Sequence, residues 1–205
     1  MMSKNTFNVP YLFNPGILAG RLPNHLLKKV KKAVNDPSAR QTKAMTKDLV
    51  GSIREEYITP EIPGFREYLH DMYSAWKNLY KIPDVPYRLD PIWTNYMKSG
   101  EFNPNHTHPG ALAVFVIWIT IPYDLQNEIK HNGYNNPQYP PKNSCFEFTY
   151  TTYDGKIISN PVYVDKGMEG TVTMFPSSMT HCVYPFFTSD KERISIAGNI
   201  YQEYE

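Results

Sequence analysis

From Tyr87 onward the chain consists of short segments rich in strand-forming residues, separated by clusters of turn residues. The segments are Tyr87–Leu89, Ile92–Met97, Leu112–Ile121, Cys145–Tyr153, Lys156–Val164, Thr171–Phe175, His181–Tyr184 and Arg193–Tyr201. Asp154-Gly155 between two of them is a strong hairpin signal. Short strands joined by frequent turns predict antiparallel sheets in a jelly roll or barrel, and they argue against a parallel α/β sheet.

Two helices are predicted before these strands, at Pro23–Asn35 and Gly64–Ile82. The second has one apolar stripe, made of Phe65, Leu69, Met72, Trp76 and Leu79. Residues 38–60 are compatible with either a short strand or a helix end. The predicted fold class is mainly β with N-terminal helices. We expect a single domain over 1–205, with residues 1–86 as a helical buttress and 87–205 as the β core.

Composition excludes several classes of function. The chain has 205 residues, 41% of them hydrophobic, and a net charge of +1. A net charge so close to zero does not indicate binding to nucleic acid or to an anionic membrane. No apolar run is long enough to cross a bilayer, and the N-terminus lacks the features of a signal peptide. Cys145 and Cys182 are expected to be reduced, buried thiols. A cytoplasmic protein is therefore expected.

Three of the histidines lie where predicted strands begin or end. His106 and His108 are two residues apart, so on a strand their side chains point to the same side. His181 follows a strand and a proline turn, and it would join them if its strand faced the same interior. Imidazole is a common ligand for iron, zinc or copper. The alternative is that the histidine pair is ordinary surface polarity.

The last predicted strand offers a site for a carboxylate. Arg193, Ser195, Ala197 and Asn199 share one face of it. A guanidinium with a hydroxyl two positions further on can make two charged hydrogen bonds and one neutral bond to a carboxylate. Beside metal ligands, such an anchor predicts a site for an acid that also reaches the metal. The alternative is that Arg193 pairs with a surface acid.

As a set, these motifs resemble the iron(II)- and 2-oxoglutarate-dependent oxygenases, and within them a bacterial and phage group. The matching positions, in order, are Trp93, Asn95, Gly100, Asn103, His106, His108, Gly170, Phe175, Pro176, Ser177, His181, Pro185, Arg193, Ser195 and Asn199. The resemblance covers about 93–200. It implies a double-stranded β-helix, that is, a cupin-like jelly roll.

The resemblance also implies cofactors and residue roles. The cofactors are Fe(II), 2-oxoglutarate as co-substrate, and O2, with 2-oxoglutarate decarboxylated to succinate while a substrate is hydroxylated. His106, His108 and His181 would be the metal ligands and catalytic centre. Arg193 with Ser195 would hold the far carboxylate of 2-oxoglutarate, and Tyr96 resembles a position that donates it a further hydrogen bond. Tyr96 is equally compatible with a core tyrosine.

His108 departs from the commonest pattern of the superfamily, which has Asp or Glu at this position to complete two histidines and one carboxylate. Either all three histidines bind the metal, or one of His106 and His108 supports the other from outside the coordination sphere. The sequence leaves both possibilities open.

The substrate remains unidentified and is compatible with a small molecule or a protein side chain. Tyr123–Lys142 is a long segment with little periodicity, and loops of this length are often functional. We expect it to border the substrate pocket, with Tyr134 and Tyr139 as candidate contacts, unless it is a passive surface loop.

Two other classes compete with the oxygenase. One is a cupin-like metalloenzyme that does not use 2-oxoglutarate, although the glutamate of its usual first motif is missing after His108. The other is a non-catalytic jelly-roll binding protein, which would leave the three histidines and Arg193 unexplained.

Overall fold

The protein is described by a computed structural model covering residues 7–8, 15–44, 50–152 and 154–203. Its strands are β1 (Phe7–Asn8), β2 (Leu18–Arg21), β3 (Glu56–Ile58), β4 (Tyr87–Met97), β5 (Asn103–His106), β6 (Ala111–Thr120), β7 (Phe146–Thr151), β8 (Ile157–Val162), β9 (Thr171–Pro176), β10 (Thr180–Val183) and β11 (Arg193–Gln202). Its helices are α1 (Asn24–Asn35), α2 (Phe65–Tyr80) and α3 (Leu125–Lys130), with 3-10 turns at Pro37–Arg40 and Lys166–Met168.

Two antiparallel sheets contain all of these strands. Within the described ranges, a seven-stranded sheet has the order β1-β2-β9-β6-β11-β4-β3, and a four-stranded sheet has the order β5-β10-β7-β8. The predicted mainly-β architecture with preceding helices is confirmed. The large sheet takes β2 and β3 from the part of the chain before residue 87, and the division into a buttress and a core remains a prediction.

The large sheet is covered on both faces, so its strands contribute to two separate cores. On β11, Ile194 and Ile196 pack with the buried side chains of α1 and α2. Arg193, Ser195 and Ala197 alternate with them and face the small sheet. This period-two alternation is what brings polar side chains into the space between the sheets.

The two predicted helices are confirmed. Leu26, Val30 and Val34 of α1 are buried, and so are the apolar residues of α2 that face the sheet. Leu79 is the exception in the predicted stripe, with 42% of its surface exposed. It lies in the last turn of α2, so the end of the helix extends past the sheet. No helix of the described residues is long and apolar enough to span a membrane.

The strand boundaries differ from the prediction in two places. Tyr87–Leu89 and Ile92–Met97 form one continuous strand, β4. The polar, proline-containing residues 103–105 fall in a cluster of turn residues between the predicted strands, yet with His106 they form β5. In the described part of the chain, β5 is an edge strand paired with β10, and an edge tolerates proline. The predicted hairpin at Asp154-Gly155 joins β7 to β8, while Tyr153 lies outside the described residues.

Gly198 in β11 lies where the packing leaves no room for a side chain. A Cβ there would be 2.6 Å from Cζ of Phe115 and 3.2 Å from the carbonyl oxygen of Pro91. We expect Gly198→Ala to lower the free energy of unfolding by about 1–3 kcal/mol, as measured by urea denaturation. Adding Phe115→Leu should recover part of this loss by freeing space, whereas strictly additive losses would contradict the steric cause.

Candidate metal and co-substrate site

A cavity lies between the inner faces of the two sheets. Counting the solvent at its open side, it has an empty volume of about 580 Å³, which is in the range of small-molecule sites. Its walls include Ile53, Trp93, Asn95, Met97, Asn103, Val114, Val116, Trp118, Phe146, Phe175, Val183 and Ala197, together with His106, His108, His181, Arg193 and Ser195. All the histidines predicted to bind a metal, and both residues of the predicted carboxylate anchor, therefore border one cavity.

The three histidines converge. His106 ends β5 and is paired in register with His181 on β10, and their ring centroids are 4.1 Å apart. His108 follows β5 and is held by a backbone hydrogen bond from its N–H to the carbonyl of Ser177. One ligand nitrogen from each ring lies within 4.8 Å of the other two. Three imidazoles at this spacing can hold one metal ion.

Backbone carbonyls fix the tautomers of two of these rings. Nδ1 of His106 lies 2.7 Å from the carbonyl oxygen of Pro104, and Nδ1 of His181 lies 2.9 Å from that of Met179. A carbonyl oxygen only accepts, so Nδ1 is the donor in both rings. In the neutral form, Nε2 then carries the free lone pair. Both rings are thus prepared to bind a metal through Nε2.

His108 is held differently. Within the described part of the chain, its ring makes no hydrogen bond, and it is stacked on His181 at 5.3 Å and an interplanar angle of 10°. Trp93 lies on it at a centroid distance of 6.4 Å. Ring packing rather than a backbone acceptor therefore orients His108, which leaves either nitrogen free to bind.

Burial keeps all three imidazoles in the neutral state. It lowers the pKa of His181 to about 3, with the nearby His106 as a smaller cause. It lowers the pKa of His108 to about 4, again with a smaller contribution from His106. The pKa of His106 is lowered as well, chiefly by burial. Neutral rings offer lone pairs to a metal at neutral pH.

Arg193 is buried at the same cavity with 3% of its surface exposed. Its Nη1 donates to the hydroxyl of Tyr123 at 3.2 Å and the carbonyl of Ser144 at 3.1 Å. Its Nη2 donates to the carbonyl of Tyr184 at 3.2 Å and contacts Sδ of Met97 at 2.8 Å. Among the described residues, no carboxylate forms an ion pair with it. A buried cation without an anionic partner is costly.

Ser195 lies beside Arg193 on the cavity face of β11, as predicted. Its hydroxyl oxygen accepts a hydrogen bond of 3.3 Å from Nδ2 of Asn95 on the neighbouring strand β4. Because that bond occupies an acceptor position, the hydroxyl proton of Ser195 is free to be donated into the cavity. The guanidinium of Arg193 and the hydroxyl of Ser195 therefore border the same cavity, as predicted.

The prediction that Tyr96 contacts the co-substrate is wrong. Strand alternation directs Trp93, Asn95 and Met97 into the cavity and Tyr96 to the opposite face of β4. There its hydroxyl donates to the carbonyl of Val34 at 2.6 Å, and Arg40 lies over its ring at 3.8 Å. The Tyr96 side chain joins the helix-side core instead.

Sequence reasoning missed Tyr123, whose hydroxyl lies on the guanidinium of Arg193. Burial raises the pKa of Tyr123 in spite of the opposing effect of Arg193, so the phenol stays protonated. Because its oxygen accepts from Arg193, its proton points elsewhere. Tyr123 follows β6 immediately after Pro122, and no periodicity in the sequence marks it.

The segment after Tyr123 is partly ordered by α3 and remains exposed at its far end. Tyr134 is 52% exposed and packs edge to face on Tyr184 at 5.7 Å, and Tyr139 is 66% exposed. Neither belongs to the cavity wall, so their contact with a substrate stays a prediction. His131 is exposed and stacks on Phe187 at 5.0 Å.

Glu56 is a further titratable group close to the cavity. It lies on β3 directly opposite Asn95 of β4. Burial raises the pKa of Glu56 to about 7, and the nearby Glu101 contributes in the same direction. Sequence reasoning did not single it out, because residues 38–60 show no clear pattern.

The comparisons with known proteins agree with this geometry. The model of the family described as "Putative 2OG-Fe(II) oxygenase" matches residues 91–199, which is more than half of the chain. The chain therefore belongs to this family of 2-oxoglutarate- and Fe(II)-dependent oxygenases. A search of curated protein sequences found no match.

Solved structures show the same fold. A prolyl-4-hydroxylase from Pseudomonas putida is 15% identical, with a TM-score of 0.56 and coverage of 92% of this chain and 93% of that one. HygX from Streptomyces hygroscopicus, with nickel, 2-oxoglutarate and hygromycin B bound, is 10% identical, with a TM-score of 0.57 and coverage of 93% and 84%. The double-stranded β-helix implied by the resemblance is confirmed.

A Trichoplax adhaerens prolyl hydroxylase in complex with a hypoxia inducible factor peptide is also similar. It is 13% identical, with a TM-score of 0.55 and coverage of 92% and 84%. The protein is thus an oxygenase of the double-stranded β-helix class, and the usual requirements of its family are Fe(II), 2-oxoglutarate and O2. Its cavity fits these groups, since it offers three neutral imidazoles and a buried cation without an anion.

The raised pKa of Glu56 predicts a pH-dependent stability. The pKa of about 7 in the folded protein lies above the ordinary value of 4.5, so the folded state loses stability as the pH rises through about 7 and the carboxyl ionises. When the pH is raised from 5 to 8, we expect the free energy of unfolding of Glu56→Gln to increase by about 1–3 kcal/mol relative to that of wild type. Urea unfolding at both pH values measures this difference. The exposed Glu67→Gln is the control, and an equal response of the two variants would contradict the assignment.

Proposed function

We propose that His106, His108 and His181 hold the Fe(II) of this oxygenase, and that Arg193 with Ser195 binds the far carboxylate of 2-oxoglutarate. The observation that carries the proposal is the buried guanidinium of Arg193, which has no carboxylate partner among the described residues and borders the same cavity as the histidine cluster. A ligand with a metal-binding keto acid at one end and a carboxylate at the other would satisfy both ends of the cavity.

The carboxylate end has the donors that this binding mode requires. The guanidinium of Arg193 supplies the positive charge, although its Nη1 and Nη2 already donate within the protein. The hydroxyl of Ser195 supplies a neutral donor two residues along the same face. We infer that the protonated hydroxyl of Tyr123 is a third donor, in the role that the family resemblance implied for Tyr96. The apolar walls around them, including Val116 and Trp118, exclude water and strengthen these bonds.

Fe(II) together with 2-oxoglutarate and O2 supplies the oxidising chemistry, in which 2-oxoglutarate loses carbon dioxide and leaves as succinate while the substrate is oxidised, most simply by hydroxylation. The chain's own contribution is to hold and to orient. The carbonyls of Pro104 and Met179 hold Nδ1 of His106 and His181, so both rings present Nε2 to the metal position.

Because His108 stands where most members of the superfamily have a carboxylate, the net charge of the loaded metal site differs from theirs. Three neutral histidines, Fe(II) and doubly charged 2-oxoglutarate sum to a neutral assembly, whereas a carboxylate at this position would leave one net negative charge. A more electropositive metal should favour an additional anionic ligand and raise the iron(II)/(III) potential. The other possibility is that His108 only packs on His181 and supports it.

The substrate we propose is a small molecule or a peptide side chain. In the similar structures, HygX has hygromycin B bound and the Trichoplax enzyme is in complex with a peptide. Tyr134 and Tyr139, on the exposed loop, are our candidate substrate contacts. The near-neutral net charge of +1 supports a partner other than nucleic acid. Free, buried Cys145 and Cys182 support a cytoplasmic location.

Anaerobic titration with Fe(II) and 2-oxoglutarate tests the assignment of the site. We expect a weak visible charge-transfer band in the wild-type protein, because the keto acid and the metal would be in direct contact. The band should be lost in His181→Ala, which removes a ligand, and weakened in Arg193→Ala, which removes the carboxylate anchor. Metal binding without the band would support the cupin-like alternative, and no metal binding would support a non-catalytic protein.

Comparison of His106→Ala with His108→Ala tests the three-histidine centre. If all three rings bind, each substitution should weaken Fe(II) binding by a similar factor, larger than the roughly 10–100-fold that is typical when a group supporting a ligand is lost. Anaerobic equilibrium dialysis of both variants measures this. Loss of Fe(II) binding in only one of the two would contradict three-histidine coordination and leave the other histidine in a supporting role.

A further inference from the structure

Three polar side chains form a row across the cavity side of the large sheet. Ser195 on β11 is opposite Asn95 on β4, and Asn95 is opposite Glu56 on β3. Side chains directly opposite each other in adjacent strands lie on the same face, with Cβ atoms about 4.5–5.5 Å apart. The row therefore runs from the proposed 2-oxoglutarate anchor towards the edge of the sheet.

The orientation of Glu56 follows from its neighbour. Tyr57 packs with the helix-side core and meets the ring of Tyr96 edge to face at 6.0 Å. Since side chains alternate along a strand, Glu56 faces the cavity side of the sheet. β3 is the edge strand, and the segment before it touches the small sheet's edge region, where the N–H of Ser52 donates to the carbonyl of Phe102 at 2.9 Å.

Asn95 has an acceptor that nothing in the described residues satisfies. It is 6% exposed and lines the cavity, its Nδ2 donates to Ser195, and its Oδ1 has no hydrogen-bond partner. A buried unsatisfied carbonyl is costly. Ionised 2-oxoglutarate has only acceptor oxygens, so it cannot satisfy Oδ1 of Asn95. A different molecule bound in the cavity can supply this donor.

Glu56 has no partner either, and in this it differs from the acids around it. Glu55 pairs with Arg40 and Lys98. Glu101 lies 4.0 Å from Arg54, and Glu192 pairs with Arg40. In the described parts of the chain, Glu56 makes no ion pair and no side-chain hydrogen bond. Burial opposes its ionisation, so a cation placed beside it would relieve an unfavourable state of the protein.

We propose that the primary substrate carries an amino or guanidino cation, which donates to Oδ1 of Asn95 and to the carboxylate of Glu56. The proposal rests on the proposed function and adds the chemical class of the substrate. An ammonium or guanidinium group has several donors and no acceptor, so it matches two acceptors in a row. A neutral hydroxyl would satisfy Asn95 but leave Glu56 unpaired, and an anion would be repelled by Glu56.

The test uses small probes on the full chain loaded anaerobically with Fe(II) and 2-oxoglutarate. The cationic probes are n-butylammonium and n-butylguanidinium, and n-butanol and butyrate have the same apolar tail. Binding is read from the enhanced NMR relaxation of the probe protons near the paramagnetic metal. Saturable enhancement is expected for the cations in wild type and in the matched control Glu67→Gln. In Glu56→Gln the affinity for the cations should fall by at least about tenfold.

A reversed-charge variant gives a second measurement. Glu56→Lys should abolish cation binding and bind butyrate more tightly than wild type does. Three results would each overturn the proposal. They are equal cation binding in wild type and Glu56→Gln, binding of n-butanol as tight as that of the cations, and no cation binding to wild type. Loss of the 2-oxoglutarate charge-transfer band in Glu56→Gln would also overturn it, because Glu56 would then act on the co-substrate. Absence of that band in wild type would overturn the proposed function instead.

Discussion

The buried guanidinium of Arg193 is the interaction on which the site depends. It begins β11 in the large sheet, yet its donors reach the carbonyls of Ser144 and Tyr184, which flank strands of the small sheet. One side chain thus ties the two sheets together at one end of the cavity. Neutral carbonyls satisfy its hydrogen bonds but not its charge, and an unpaired buried charge costs several kcal/mol. This cost supports the proposal that an anion binds there.

The histidine cluster depends on strand register in the same way. His106 and His181 are far apart in sequence, and the antiparallel pairing of β5 with β10 places them directly opposite each other. A slip by one residue would turn one of the rings out of the cavity. The carbonyl acceptors lie two residues before each histidine, so the same short strands that bring the rings together also fix which nitrogen each ring presents. Register thus prepares a metal site before any metal binds.

The sequence was sufficient for the parts of the site that follow strand periodicity. Arg193 and Ser195 are two apart on a long strand, so their common face could be predicted. His106 and His108 also border one cavity, but His108 lies past the end of β5, so strand alternation does not account for its position. The contact of Tyr96 with the co-substrate, which the resemblance implied, is absent for the same physical reason. Tyr96 is one residue away from Asn95, so it faces the helices. Which of two alternating faces is the inner one depends on what packs against the sheet, and one strand alone does not contain that information.

The remaining differences come from long-range contacts. β5 is polar and short, and it becomes a strand because β10 provides a partner. Tyr123 reaches Arg193 only because the chain turns at the end of β6. Glu56 becomes a partly buried acid only because β3 is added to the edge of the sheet beside Asn95. None of these partners is near in sequence. Local propensity therefore defines the core strands and helices, and tertiary pairing decides the edges, where much of the site lies.

The central claim is that one molecule bridges the histidine cluster and Arg193. It is tested most directly by calorimetric titration of the Fe(II)-loaded protein with 2-oxoglutarate and with 2-oxobutyrate, which has the keto acid but lacks the far carboxylate. In Arg193→Met, the affinity for 2-oxoglutarate should fall by about 100-fold, while the affinity for 2-oxobutyrate should stay within a few-fold of wild type. Equal losses for both acids, or no loss for either, would contradict the account.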